Sequence, residues 1–339
     1  MDTLSFIDFL DRYGEKNKPS LLYREGQDFA KWQKEFRRKL DGLMGPVPDR
    51  VEPNVEVIES ATLDTHTRCL LHIPVNEFSH LPAYLLVPNN IKKGEKRPGI
   101  LALHGHAKFG MESIAGGDRP EVRKEGYEPY GLRAVEAGFV VLCPAWWGWA
   151  GRDGHVGRVG NRDKCNVIQM AAAMYGLNVI ALHIQDGQAA LDALTQRPEV
   201  DAARIGCIGN SYGGRTTMWL TIYDERVRAC VPSGCMNTFR ERSLKLSSCG
   251  IQYLPGLLRY GDVPELFSLI APRPMQLMTG QKDGLITDAD RNAMIATVRR
   301  AYDLAGAPDN LDYALHPGGH MLVWELAEPF LRKHLRFER

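Results

Sequence analysis

The stretch that decides the fold is Ile208-Gly209-Asn210-Ser211-Tyr212-Gly213-Gly214-Arg215-Thr216. Two motifs share it. Gly209 to Gly213 is G-x-S-x-G, a turn in which small residues two before and two after a serine let a strand and a helix crowd together while the serine stands clear. Gly209 to Thr216 is also G-x-x-x-x-G-R-T, one letter from a phosphate-binding loop. That loop needs a lysine to reach the β- and γ-phosphates, and Arg215 stands in its place. Gly206, Gly209, Gly213 and Gly214 do not fit the dinucleotide spacing G-x-G-x-x-G either. The nucleotide reading is set aside. The pentapeptide by itself leaves open a plain glycine-rich turn.

The surroundings narrow the choice. Before the turn, VEVIES, TRCLLHIPV and LPAYLLVP are short, rich in branched residues and bounded by Pro or Asn, the pattern of an antiparallel start to a sheet. After Pro98, short apolar strands (GILALH, FVVLCP, RIGCIG, VRACVPS, PMQLMTG, LDYALH) alternate with helical stretches, including one long helix expected over roughly 166–196. Alternation of this kind predicts an α/β fold: a mostly parallel central sheet with helices on both faces. Residues 1–50 form an N-terminal helical extension, packed on the main domain or serving as a homo-oligomer contact. Residues 51–339 are expected to form the main α/β domain that carries any chemistry, with 234–262 as a lid or pocket segment.

Composition bounds the partners. The chain has 339 residues, 44% of them apolar and 24% charged, enough for a substantial core. Lys plus Arg (42) nearly balances Asp plus Glu (41), so nothing points to nucleic acid or an anionic membrane. The N-terminus has no basic region ahead of an apolar stretch, and no apolar run approaches the ~20 residues that span a bilayer. The seven cysteines are scattered without C-x-x-C, as expected of buried thiols in a reducing cytoplasm.

If the turn carries a nucleophile, its partners should follow in the order Ser, acid, His. The acid belongs after the next-but-one strand, PMQLMTG, where Asp283 stands in QKDGLI. Asp288 and Asp290 are rivals, but they read as N-terminal residues of the next helix. The histidine belongs after the last strand. His316 ends that strand, whereas Pro317-Gly318-Gly319 can swing His320 across the sheet edge. Ser211, His320 and Asp283 would then be nucleophile, base and orienting acid. The oxyanion would rest on the backbone N–H of Tyr212 and on that of His106, in the loop LALHGHAKFG.

His104 and His106 also have the H-x-H spacing of metal ligands, but no acidic or cysteine partner lies near them in the sequence, so no metal and no cofactor are expected. Trp146, Trp147 and Trp149 follow a strand end, where ligands bind in open α/β sheets, and read equally as an aromatic substrate wall or as packing. Arg215, Arg240 and Arg242 read as solvated surface or as partners for a substrate carboxylate.

Together H-G-H, G-N-S-Y-G-G, K-D-G-L-I, P-G-G-H and the LIAPRP before the acid-bearing strand resemble the α/β-hydrolase superfamily, nearest its dienelactone-hydrolase and acetyl-xylan-esterase-like branch. The resemblance covers about residues 55–335. It implies an α/β-hydrolase fold and a serine carboxylic ester hydrolase acting on a small-molecule ester, with many relatives removing acetyl groups. Some relatives use a cysteine on lactones; Ser211 favours serine chemistry here. The loop PAWWGWAGRDG departs from the R-G-x-G that many relatives carry. A prolyl-oligopeptidase-type peptidase, or a non-catalytic binding protein on the same fold, are the competing readings.

Overall fold

The computed structural model describes residues 5–24, 26–152, 164–245 and 247–338. Nine strands form one sheet: β1 (Glu56–Thr62), β2 (His66–Asn76), β3 (Ser79–Pro88), β4 (Arg97–Leu103), β5 (Val140–Pro144), β6 (Val200–Asn210), β7 (Val227–Ser233), β8 (Met275–Gly280) and β9 (Leu311–His316). Their spatial order is β1-β2-β3-β5-β4-β6-β7-β8-β9. The pairings β1/β2, β2/β3 and β3/β5 are antiparallel, and every pairing from β5/β4 to β8/β9 is parallel. The expected antiparallel start and parallel body are both present.

Why the parallel strands read as unbroken apolar runs is visible in their side chains. Along β4, Leu101 and Leu103 enter one hydrophobic core while Ile100 and Ala102 enter another. Along β5, Val140 and Leu142 face the first core and Val141 and Cys143 the second. Each strand thus buries both faces, and helices cover both. The first core takes the helices Phe29–Met44, Val179–Thr195, Tyr212–Tyr223 and Asp288–Leu304; the second takes Tyr130–Glu136 and Trp324–His334.

The helix Phe29–Met44 starts on Asp28, whose side chain accepts from the N–H of Lys31. Its Trp32, Phe36, Leu40 and Met44 recur every four residues and are buried in the first core. The helix Phe6–Lys16 buries nothing and leaves Phe6, Phe9 and Tyr13 exposed.

The long helix expected over 166–196 is two helices. Lys164–Met174 and Val179–Thr195 meet at 99°. Gly176 takes φ 73°, and the Asn178 side chain caps the second helix by accepting from Ile180 N–H. An apolar pattern continues across the break because both helices pack, and the Gly and Asn within it set the corner. No single described helix is long and apolar enough to cross a membrane. The tail of the 144–154 loop, at Asp153 and Gly154, and Leu246 within the 234–262 segment lie outside the described residues.

Candidate active site

The parallel strands β4, β5, β6, β8 and β9 end on the same edge of the sheet, so the loops that follow them meet there. At the centre, β6 ends at Asn210 and a helix begins at Tyr212. Ser211 bridges them with φ 61° and ψ −119°, a backbone that costs a non-glycine residue roughly 1–3 kcal/mol. Its side chain makes no capping bond to the helix. The flanking glycines explain why the turn closes. A Cβ on Gly213 would collide with the Leu103 carbonyl, and one on Gly209 with Gly213 itself. Tyr212 is the first helical residue, so its N–H has no carbonyl a turn earlier to bond.

The acid and histidine loops are laced together by their backbones. Gln281 N–H donates to His316 O at 2.8 Å and Lys282 N–H to Gly318 O at 3.0 Å. This brings Asp283 Oδ2 to 2.7 Å from His320 Nδ1. The Asp283 side chain is wholly buried, and its Oδ1 accepts from Leu285 N–H at 3.0 Å. With Nδ1–H donating to the carboxylate, the His320 proton is held on that nitrogen and Nε2 keeps its lone pair. Nε2 is buried and has no hydrogen-bond partner among the described residues. Gly234 brings the two halves of the site together, since a Cβ there would strike both Asn210 Oδ1 and the His320 ring. The rivals are engaged elsewhere. His316 accepts from Gly318 N–H and donates to Met321 O, holding the loop that carries His320. Asp288 pairs with Arg291, and Asp290 bonds Thr287 at the helix start.

The loop after β4 lies against Ser211: a Cβ on Gly105 would sit 2.7 Å from Asn210 O and 3.1 Å from Ser211 Cβ. His106 follows it. Two indoles brace this loop, Trp146 Nε1–H donating to His104 O at 3.2 Å and Trp149 Nε1–H to Ala107 O at 2.8 Å. Trp146 is fully buried and Trp149 nearly so. This corrects the aromatic-wall reading of Trp146 and Trp149, which pack beneath the loop. Trp147 is half-buried, with the Arg152 guanidinium 3.8 Å above its ring. A cavity of about 250 Å³ touching His320 is lined instead by Tyr127, Glu128, Tyr130, Asn210 and Met321. Arg215 is no surface residue either: it is buried, stacks on Phe239 and donates to Asn237. Asn237 donates in turn to Leu285 O, so Arg215 ties the helix behind Ser211 to the acid loop. Arg240 pairs with Asp11 and Glu15, and Arg242 with the 247–248 turn.

A model described as the Abhydrolase family matches residues 9–321. The chain belongs to the Abhydrolase family. Among curated proteins, this abhydrolase is 27% identical over 313 residues to YtaP of Bacillus subtilis (strain 168), provisionally named a hydrolase, covering 89% of this chain and 99% of YtaP. Among solved structures, a Bacteroides fragilis NCTC 9343 protein provisionally named an acetyl xylan esterase superposes with a TM-score of 0.79 at 19% identity, covering 97% of this chain and 95% of that one. A glucuronoyl esterase from Solibacter usitatus does so with a TM-score of 0.70 at 16% identity, over 95% and 98% of the two chains. The α/β-hydrolase fold expected from the motifs is the fold observed.

Three further parts of the abhydrolase site escaped the sequence reading. His183, in the second turn of the core helix Val179–Thr195, accepts from Trp147 N–H through Nε2, so its Nδ1–H donates to the Tyr212 hydroxyl. That hydroxyl donates on to Ile251 O. Nothing in the local sequence distinguishes His183 from any buried helix residue. Secondly, Tyr127 places its buried hydroxyl 3.1 Å from where a Gly105 Cβ would stand. Thirdly, the fold supplies the cysteine partners that His106 lacks in the sequence: its Nε2 lies 3.0 Å from Cys249 Sγ and 3.5 Å from Cys165 Sγ.

His104 is no ligand. It is fully buried, its Nε2 accepts from Trp146 N–H at 3.1 Å, and its Nδ1–H therefore donates to Gly105 O at 2.8 Å. Burial pushes its pKa down to about 3, so the folded protein keeps it neutral. An unfolded histidine takes up a proton below about pH 6.5. Between that pH and about 3 the unfolded state binds one proton more at this position, so the histidine's contribution falls as pH falls, by about 1.4 kcal/mol per pH unit. In urea unfolding across this window, the His104→Gln chain should show a stability–pH slope shallower than wild type by one proton. An unchanged slope would mean that His104 protonates in the folded state.

Proposed function

We propose that the protein is a serine carboxylic ester hydrolase that removes a small acyl group, such as acetyl, through an acyl-enzyme. The observation that carries this reading is Ser211 held at positive φ between β6 and its helix, with no side-chain bond to that helix. Strain of this kind persists only where the surroundings enforce it, and a strained strand-to-helix turn is what an exposed nucleophile needs.

In the proposed mechanism Ser211 Oγ attacks the ester carbonyl carbon and His320 Nε2 takes its proton. Asp283 keeps the other imidazole proton on Nδ1 and stabilises the imidazolium. The backbone N–H groups of Tyr212 and His106 receive the oxyanion. Collapse expels the alcohol, protonated by His320, and leaves acyl-Ser211. Water, activated by the same histidine, releases the acid.

One feature supports a neutral acyl group: Arg215, Arg240 and Arg242 are each engaged by protein partners, which turns the reading away from a substrate carboxylate held by these three. Structural neighbours, one provisionally named an acetyl xylan esterase and one a glucuronoyl esterase, direct the substrate search to carbohydrate esters, acetylated sugars first.

A fluorophosphonate probe tests the nucleophile. Peptide mapping should place a single adduct on Ser211, and pretreatment should abolish hydrolysis of a short-chain aryl ester. An unlabelled Ser211 in protein that hydrolyses the ester would refute the assignment.

A further inference from the structure

We propose that His106, Cys165 and Cys249 form a binding site for a soft divalent cation, of which zinc is the expected occupant. The three residues come from separate parts of the chain. His106 lies in the loop after β4, Cys165 in the first turn of the helix Lys164–Met174, and Cys249 just before the turn Gly250–Gln252. Their ligand atoms, one imidazole nitrogen and two sulfurs, all lie within 4.8 Å of one another.

The spacing matches the metal. With Zn–N of ~2.0–2.1 Å and Zn–S of ~2.3 Å, the nitrogen–sulfur edge of a tetrahedron is about 3.5 Å. The two nitrogen–sulfur separations here are 3.0 and 3.5 Å, so small shifts suffice. The donor set selects zinc. Two thiolates and an imidazole are poor ligands for magnesium or calcium, which take oxygen. Two thiolates also neutralise the ion's charge. Cys165 is buried, Cys249 is half-buried and His106 is exposed. Among the described residues a tetrahedral ion would therefore have three protein ligands, with the exposed His106 on the side from which it could enter.

Such an ion would tie together three segments that already meet by packing and hydrogen bonds. One of them carries a candidate oxyanion donor, the N–H of His106. Its imidazole also lies against Tyr212, with ring centroids 5.3 Å apart. The site is therefore a clamp on the loop beside Ser211, distinct from the Ser211, His320 and Asp283 group.

The test is a metal titration of the full chain, stripped with chelator and kept under reductant. Cobalt(II) should bind one ion per chain, develop a thiolate-to-cobalt charge-transfer band and be displaced by zinc, and zinc should raise the thermal unfolding midpoint. Cys249→Ser and Cys165→Ser should each diminish the band and weaken zinc binding at least ~10-fold. Because Cys165 is buried, the exposed His106→Ala serves as the variant that leaves the core intact, and it too should weaken binding. Ser211→Ala should bind metal as wild type does, so failure of the hydrolase reading and failure of this one are separable. Absence of the band in wild type, or metal affinity unchanged in both His106→Ala and Cys249→Ser, overturns the proposal.

Discussion

Replacing Ser211 by Ala is expected to lower turnover of a short-chain aryl ester by ~10⁴-fold or more, since the loss of a nucleophile leaves only binding and oxyanion stabilisation. Stability should separate this from a folding defect. Ser211 sits at φ 61° and ψ −119°, which alanine tolerates no better than serine, so Ser211→Ala should unfold at the wild-type denaturant concentration. Ser211→Gly removes the strain. It should be equally inactive yet more stable by about 1 kcal/mol, the strain relieved less the backbone entropy that glycine adds. A glycine variant less stable than alanine would show that the turn is not strained as described.

The second large effect is expected at Asp283. The carboxylate accepts the His320 Nδ1 proton at 2.7 Å, so it selects the tautomer whose Nε2 can act as base. Asparagine keeps the shape but offers its amide N–H to Nδ1, which drives the proton to Nε2. Asp283→Asn should therefore cost ~10³–10⁴-fold in kcat with little change in KM, since Asp283 touches the histidine rather than the substrate. Asp288→Asn and Asp290→Asn, at the helix start, should stay within ~3-fold of wild type, as surface changes usually do. Equal losses at all three aspartates would point to a general effect of removing acidic charge near the site.

The tight turn at Ser211 and the meeting of Asp283 with His320 were legible in the sequence for a physical reason. A strand-to-helix turn this tight needs glycine at 209 and 213, because the Leu103 carbonyl and the helix backbone leave no space for a side chain. Backbone crowding writes itself into short local patterns. The acid and histidine loops were legible by their positions after β8 and β9, and the choice of His320 over His316 followed from the Pro317-Gly318-Gly319 swing. What was not legible depends on contacts between distant segments. His106 meets Cys165 and Cys249 across 59 and 143 residues, and no spacing rule reaches that far. His183 and Arg215 support the elbow from inside the core, where composition gives no sign of which polar residue has a partner. The tryptophan run was ambiguous because an exposed aromatic wall and a buried brace use the same residues; the buried indole N–H groups on the 104–107 carbonyls decide it. The bend at 176–178 was marked by Gly176 and Asn178, but the apolar pattern on either side outweighed them.

The most direct test of the central claim is to catch the acyl group in transit. The protein is mixed with a short-chain activated ester, quenched in acid during turnover, digested and mapped by mass. The acetyl group is expected on the peptide that carries Ser211, at a level that falls to zero in Ser211→Ala. Turnover with no acyl group on Ser211, or with the acyl group on Cys249 beside His106, would contradict it.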